Sequence, residues 1–146
     1  KLSSNVVIDT AAYERECLLS IMKNCNCYVS LHRSEGLGLG ILDAMSLGLP
    51  VIATNYGGNT DFMNSENSIL IDYSSCEVQS DFGAYRKGYI WAEPDVNHAA
   101  KEMQRLVDNN ALAEEIGCAA SLYIRNTFSD INLQKDIYKF MSSLYE

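Results

Sequence analysis

Metal ligands are scarce in this chain. Its 146 residues hold two histidines, His32 and His98, far apart in sequence, and no Asp-x-Asp. Cys25 and Cys27 form a Cys-x-Cys pair with no further ligands around it, so small apolar strand residues explain it better than a metal does. No metal or other cofactor is implied. Positive charge is also in deficit: 11 Lys and Arg against 19 Asp and Glu leave a net charge of −8, which argues against a nucleic-acid surface. Any bound anion must therefore meet local positive groups. No hydrophobic run reaches transmembrane length and no signal peptide is visible. Five cysteines, an odd number without framework spacing, suggest reduced thiols and a cytoplasmic setting. No Ser/His/Asp set or Cys/His pair for nucleophilic catalysis stands out. Internal repeats, low-complexity tracts and linkers are absent as well.

What is present fits one domain spanning 1–146, with 47% hydrophobic residues and enough length for a real core. The chain begins at Lys1 rather than Met and enters almost directly into an apolar run. It reads as a piece of a longer protein.

The organising stretch runs from Cys27 to Thr60. Cys27–Leu31 is apolar and β-prone, as a buried strand should be. A glycine run follows, and then an amphipathic segment stopped by Gly48 and Pro50. Val51–Thr54 is a second apolar run, broken by Gly57-Gly58. This is a strand–loop–helix–strand unit with a parallel crossover, which predicts an α/β fold. Parallel sheets bind ligands at the carboxyl ends of their strands. Two such ends, His32–Gly38 and Asn55–Asn59, are expected to lie close together.

The first end is suited to an anion. Gly36, Gly38 and Gly40 let backbone approach a ligand, and the helix starting there points free N–H groups and its positive dipole end into the loop. Glu35 would be repelled by a phosphate unless a sugar hydroxyl were its partner; capping the helix start is the other reading. Asp43, one turn into the helix, leans back toward the same end, or is an ordinary exposed helix acid. Two carboxylates flanking a diphosphate loop, each wanting hydroxyl donors, suggest a nucleotide sugar. The glycine spacing is not the dinucleotide fingerprint, and no acid ends the following strand, so an NAD enzyme is disfavoured.

Ser34-Glu35-Gly36-Leu37-Gly38-Leu39, Asp43-Ala44-Met45, Gly48-Leu49-Pro50-Val51-Ile52-Ala53-Thr54 and Gly57-Gly58 together resemble the C-terminal half of glycosyltransferase family 4, the group 1 retaining enzymes of GT-B fold. That family carries two acids separated by seven residues, a spacing that holds from Glu35 to Asp43, although the second acid is usually Glu. The resemblance implies a Rossmann-like parallel sheet flanked by helices, the incomplete donor-binding domain of a GT-B enzyme whose first βα units lie upstream. It implies transfer of a sugar from a nucleotide-diphosphate sugar to an acceptor glycan or lipid-linked saccharide, as in surface polysaccharide synthesis. Glu35 would be catalytic, holding the donor sugar. Donor binding would involve Arg33, Ser34, Gly36, Leu37, Gly38, Leu39, Asp43, Asn59 and Thr60, with Gly38 and Leu39 amides on the diphosphate and Asp43 on the ribose. The family's basic diphosphate residues and its acceptor domain, with any peripheral membrane contact, would lie outside this chain, leaving it inactive alone. A sugar-nucleotide epimerase of the same fold and a non-catalytic nucleotide-binding module are the alternatives.

The remaining segments carry weaker signals. Asn5–Asp9 is predicted as a short strand and Ala11–Asn24 as an amphipathic helix. Asp9 and Thr10 either cap that helix or contact the base or ribose. His32 and Arg33 are solvated loop residues or ligand-edge ones, with Arg33 offsetting phosphate charge or orienting Glu35 and His32 bonding loop backbone. Asn59 and Thr60 cap a short helix or donate to the ligand. Ser68–Asp72 is another strand. Tyr73–Tyr89 reads as an aromatic-rich insertion, either a surface excursion packed by its own rings or an acceptor-side element, with Trp91 anchoring the return. Three helices follow, from Asp95 or Asn97, over Ala111–Thr127, and after Ser129 with Leu133, Ile137, Phe140, Met141 and Leu144 as its stripe.

Overall fold

The apolar runs on either side of the glycine loop form neighbouring parallel strands. The computed structural model describes residues 5–143, apart from the side chains at positions 130, 131 and 136. Strand β1 (Tyr28–Ser30) pairs with β2 (Val51–Thr54), and β2 with β3 (Ile69–Ile71), all in parallel. Val29 lies opposite Ile52, and Ala53 opposite Leu70. A parallel connection needs a crossover, and helix α2 (Leu39–Ser46) supplies it between β1 and β2. All four residues of the central β2 are buried. Covering on both faces is why this strand reads as a continuous apolar run rather than an alternation.

Alternate residues of β2 enter two separate cores, as the two-residue period of a strand requires. Val51 and Ala53 pack with Met22 of α1 (Arg15–Lys23), Ile41 and Met45 of α2, and Ala120 and Ile124 of α4 (Asn110–Thr127). Ile52 packs on the other face with Ile69, Ile71, Ile116, and Ala99 and Leu106 of α3 (Val96–Asp108). Asp95, rather than Asn97, caps α3 by accepting the His98 N–H. The Ser129 hydroxyl accepts the Asn132 N–H at the start of α5 (Asp130–Ser143), as its sequence suggests.

Four expectations need correcting. Asn5–Asp9 forms no strand: it enters neither of the two sheets, and Val7 is 89% exposed. The first helix starts at Arg15 rather than Ala11 because Asp9 turns the chain aside. Its Oδ1 accepts the Ala11 N–H and its Oδ2 the Tyr13 hydroxyl, an Asx-type turn that competes with helix; the same two bonds, Tyr13 first, hold its carboxyl below the usual range. Third, Tyr73–Tyr89 is no structureless excursion. Tyr73–Glu77 (β4) pairs antiparallel with Ile90–Pro94 (β5) in a hairpin, which its Ser-rich first strand concealed. The α5 stripe is exposed rather than core at Leu133, Ile137, Phe140 and Met141, and Leu144 lies outside the described residues.

Burial pushes the Cys27 thiol up to about 11. Above the ordinary thiol value the unfolded chain gives up a proton that the folded chain retains, so stability should fall as pH rises from about 9 toward 11. Urea unfolding of Cys27→Ala across that range should show a shallower alkaline decline than the parent. An identical slope would contradict the assignment.

Candidate functional site

The carboxyl ends of β1 and β2 meet through backbone. His32 Nε2 lies 2.8 Å from the Tyr56 carbonyl oxygen and 3.1 Å from Asn59 Oδ1, while its Nδ1 lies 3.0 Å from Ser30 Oγ. With the ring proton on Nε2, the histidine donates to Tyr56 and accepts from Ser30, joining the two strand ends. The Gly58 N–H donates to the Glu35 carbonyl at 3.0 Å. A Cβ on Gly58 would stand 1.8 Å from the Gly36 carbonyl oxygen, so the two loops pack closer than any other residue permits. The strand ends expected to be neighbours are neighbours.

Gly38 turns the chain into α2 with φ +88, a left-handed conformation, and as the N-cap it offers no side chain to the helix amides. Glu35 fills part of that role. Its Oε1 accepts the Gly36 N–H at 3.0 Å and the Gly38 N–H at 3.1 Å. Backbone donors thus converge on an oxyanion, here one carried by the chain itself.

Asp43 is not a free helix acid. Its carboxylate is held by the Arg15 guanidinium, Nη1 to Oδ2 at 2.8 Å and Nη2 to Oδ1 at 2.6 Å. Tyr28 lies against α2 at Gly40. Its hydroxyl oxygen lies 2.6 Å from where a Cβ of Gly40 would be, so the glycine leaves it room. Burial raises the Tyr28 pKa, and the charges of Glu35 and then Asp43 add to the rise. The charges of both carboxylates act on this one phenol.

Three predicted residues make side-chain contacts within the chain. Arg33 donates from Nε and Nη2 to Glu93 at 2.8 and 3.0 Å, and its Cζ lies 5.1 Å from the Trp91 ring centroid. Its carbonyl accepts the Ala92 N–H. Arg33 therefore fastens the hairpin to the loop. Tyr73, at the hairpin's base, also meets Tyr56 edge to face at 5.1 Å, so the hairpin abuts both site loops. Asn59 is fully buried and donates from Nδ2 to the Thr54 carbonyl at 2.9 Å. The exposed Thr60 donates its hydroxyl to the Gly57 carbonyl and closes the 3-10 turn Gly58–Asp61. Ser34, Gly36, Leu37 and Leu39 sit at the rim, with Leu39 67% exposed. Arg15 and Tyr28 went unpredicted; an arginine heading a helix, against the dipole, was the available signal for the first.

Among the described residues no group of three or more His, Cys, Asp or Glu side chains is placed to hold a metal ion. A cavity of about 570 Å³ opens at the other end of the strands, beside Cys25, Cys27, Leu49 and Pro50, away from the acids.

The family model described as "Glycosyl transferases group 1" matches residues 4–122. The chain belongs to this family. This group 1 chain is 24% identical over 126 residues to the human alpha-1,3/1,6-mannosyltransferase ALG2, covering 86% of itself and 26% of that protein. It is 31% identical over 65 residues to protein CapJ of Staphylococcus aureus, covering 44% of itself and 17% of CapJ. It thus spans about a quarter or less of these relatives. Among solved structures, Anabaena HepE in complex with UDP and glucose superposes with TM-score 0.62 at 18% identity, over 84% of this chain and 29% of HepE. Sucrose-phosphate synthase from Thermosynechococcus elongatus gives TM-score 0.65 at 21% identity, over 91% of this chain and 29% of the synthase. The group 1 chain therefore has the α/β fold of GT-B glycosyltransferases. Among the described residues no helix is long and apolar enough to cross a membrane.

Proposed function

We propose that this chain is the donor-binding part of a retaining, hexose-transferring enzyme of glycosyltransferase family 4. It takes a sugar from a nucleotide-diphosphate sugar, and an acceptor glycan or lipid-linked saccharide meets it across a cleft completed by a second domain. The observation that carries this reading is the pair of backbone amides, Gly36 and Gly38, already closed on an oxyanion at the head of α2. A diphosphate is the larger anion of the same kind, and the helix dipole favours it there. On its arrival the Glu35 carboxylate leaves the amides and turns to the donor sugar's hydroxyls. Gly38 and Leu39 amides take the diphosphate, with Ser34, Gly36 and Leu37 shaping the loop and Thr60 at its edge. Asp43 takes the ribose. The leaving phosphate itself acts near the acceptor hydroxyl, stabilised by preorganised donors, with no protein nucleophile and no metal. The setting is the cytoplasm or the inner face of a membrane, in polysaccharide synthesis. HepE, described in complex with UDP-glucose, supports the donor class.

Titration calorimetry of the full protein with UDP, GDP and their sugar esters tests this. One base should bind saturably, and its sugar ester should bind more weakly after Glu35→Ala while the nucleotide does not. A nucleotide and sugar ester both indifferent to Glu35→Ala, with no sugar released, would identify a binding module instead. The 146-residue chain alone, lacking the acceptor side of the cleft, should transfer nothing.

A further inference from the structure

Resting on the reading of Asp43 as the ribose contact, we infer that Arg15 is a positioning residue, whose guanidinium sets the Asp43 carboxylate for a ribonucleoside diphosphate. Arg15 is the first residue of α1, and no side chain caps that helix. A cation at this point faces the positive end of the helix dipole, so the arginine does nothing for its own helix. It reaches instead to α2, 28 residues away in sequence, and grips both Asp43 oxygens at 2.6 and 2.8 Å. Fork-on-fork pairing of this kind fixes the plane of a carboxylate as well as its place. The aspartate is the covered partner, its side chain 16% exposed against 68% for the arginine.

Asp43 needs such a partner. Aspartate is one methylene shorter than glutamate and cannot reach outward to find a pair of hydroxyls. Its usefulness depends on a carboxylate aimed beforehand, since ordering it on binding would cost affinity. Each of its oxygens keeps a lone pair after accepting one N–H from Arg15, and these can accept the two ribose hydroxyls. The pairing also answers a charge problem. Glu35 and Asp43 flank a loop meant for an anion, and Arg33 is engaged with Glu93. Arg15 offsets the second carboxylate and so lowers repulsion of the incoming diphosphate. With its arginine 68% exposed, the contact adds little to stability, which separates a positioning role from a structural one.

Calorimetric titration of the full protein with UDP, GDP and ADP, and with the binding nucleotide lacking both ribose hydroxyls, tests the inference. Arg15→Gln and Asp43→Asn should each weaken the ribonucleotide about tenfold, the loss of one charge-assisted contact, and the double variant should be no weaker than the worse single one. Arg15→Lys should recover only part of the affinity, because an ammonium cannot fork. The nucleotide without ribose hydroxyls should bind all variants alike, and thermal midpoints should stay together. Full ribonucleotide affinity in Arg15→Gln would overturn the inference alone, as would an equal loss toward the nucleotide lacking the hydroxyls. If none of the three nucleotides binds the unaltered protein, the reading of Asp43 fails and Arg15 falls with it.

Discussion

Glu35→Ala is expected to lower sugar transfer by about 100-fold or more, while UDP or GDP binds as well as before or better. The two halves of this result have one cause. Glu35 Oε1 occupies the Gly36 and Gly38 amides at 3.0 and 3.1 Å. It is an internal competitor for the donors that a diphosphate needs, and its charge repels that diphosphate. Truncation removes both obstacles, so a free nucleotide gains. The transferred sugar has no such compensation. On the proposed reading it loses the carboxylate that would hold its hydroxyls as the anomeric carbon becomes cationic, an interaction stronger in the transition state than in the ground state. The effect should therefore appear in kcat, with Glu35→Gln, which keeps the size and loses the charge, nearly as impaired. Equal losses in nucleotide affinity and transfer would show that Glu35 only shapes the loop. Unimpaired transfer would remove it from the chemistry.

Gly58→Ala should be the most damaging small substitution near the site. The added methyl would lie 1.8 Å from the Gly36 carbonyl oxygen and 3.1 Å from the Leu37 Cα, and both are backbone. No rotamer can relieve such a clash. The loops must part, breaking the Gly58 N–H bond to the Glu35 carbonyl and disturbing the amides that the loop presents. A loss of about 2–4 kcal/mol in urea unfolding, with nucleotide binding lost as well, is expected from overpacking against fixed backbone together with a broken backbone bond. Gly36→Ala is the control. A Cβ there meets nothing within 4 Å, so stability should change by less than about 1 kcal/mol. Equal stability of the two variants would mean that the loops are not in backbone contact.

The fate of particular residues shows how far local reading reaches. The loop glycines and the alternation of Val51, Ile52 and Ala53 between two cores follow from chain-local rules, and the structure agrees with them. Arg33 illustrates the opposite case. Beside Glu35 in sequence, it invites pairing with the loop, yet its guanidinium is taken by Glu93, sixty residues on. Asp43 likewise reads as one helix acid among others until Arg15 is seen across from it. Asn59 has the composition of a cap and the environment of a core residue, because Thr54 presents a carbonyl to it. The hairpin was hidden for a related reason: antiparallel pairing can hold a strand such as Tyr73–Glu77 whose own residues carry little β signal.

The amino-acid sequence by itself determined the parallel unit, the glycine turn at the head of α2 and the spacing of Glu35 from Asp43, since hydrophobic period, glycine placement and helical pitch act over a few residues. Only the tertiary structure decided which charges those acids meet and which loops touch. Arg15 reaches Asp43 across 28 residues and Arg33 reaches Glu93 across 60. Side chains that distant are brought together by the packing of α1, α2 and the hairpin around the sheet, which no local pattern encodes.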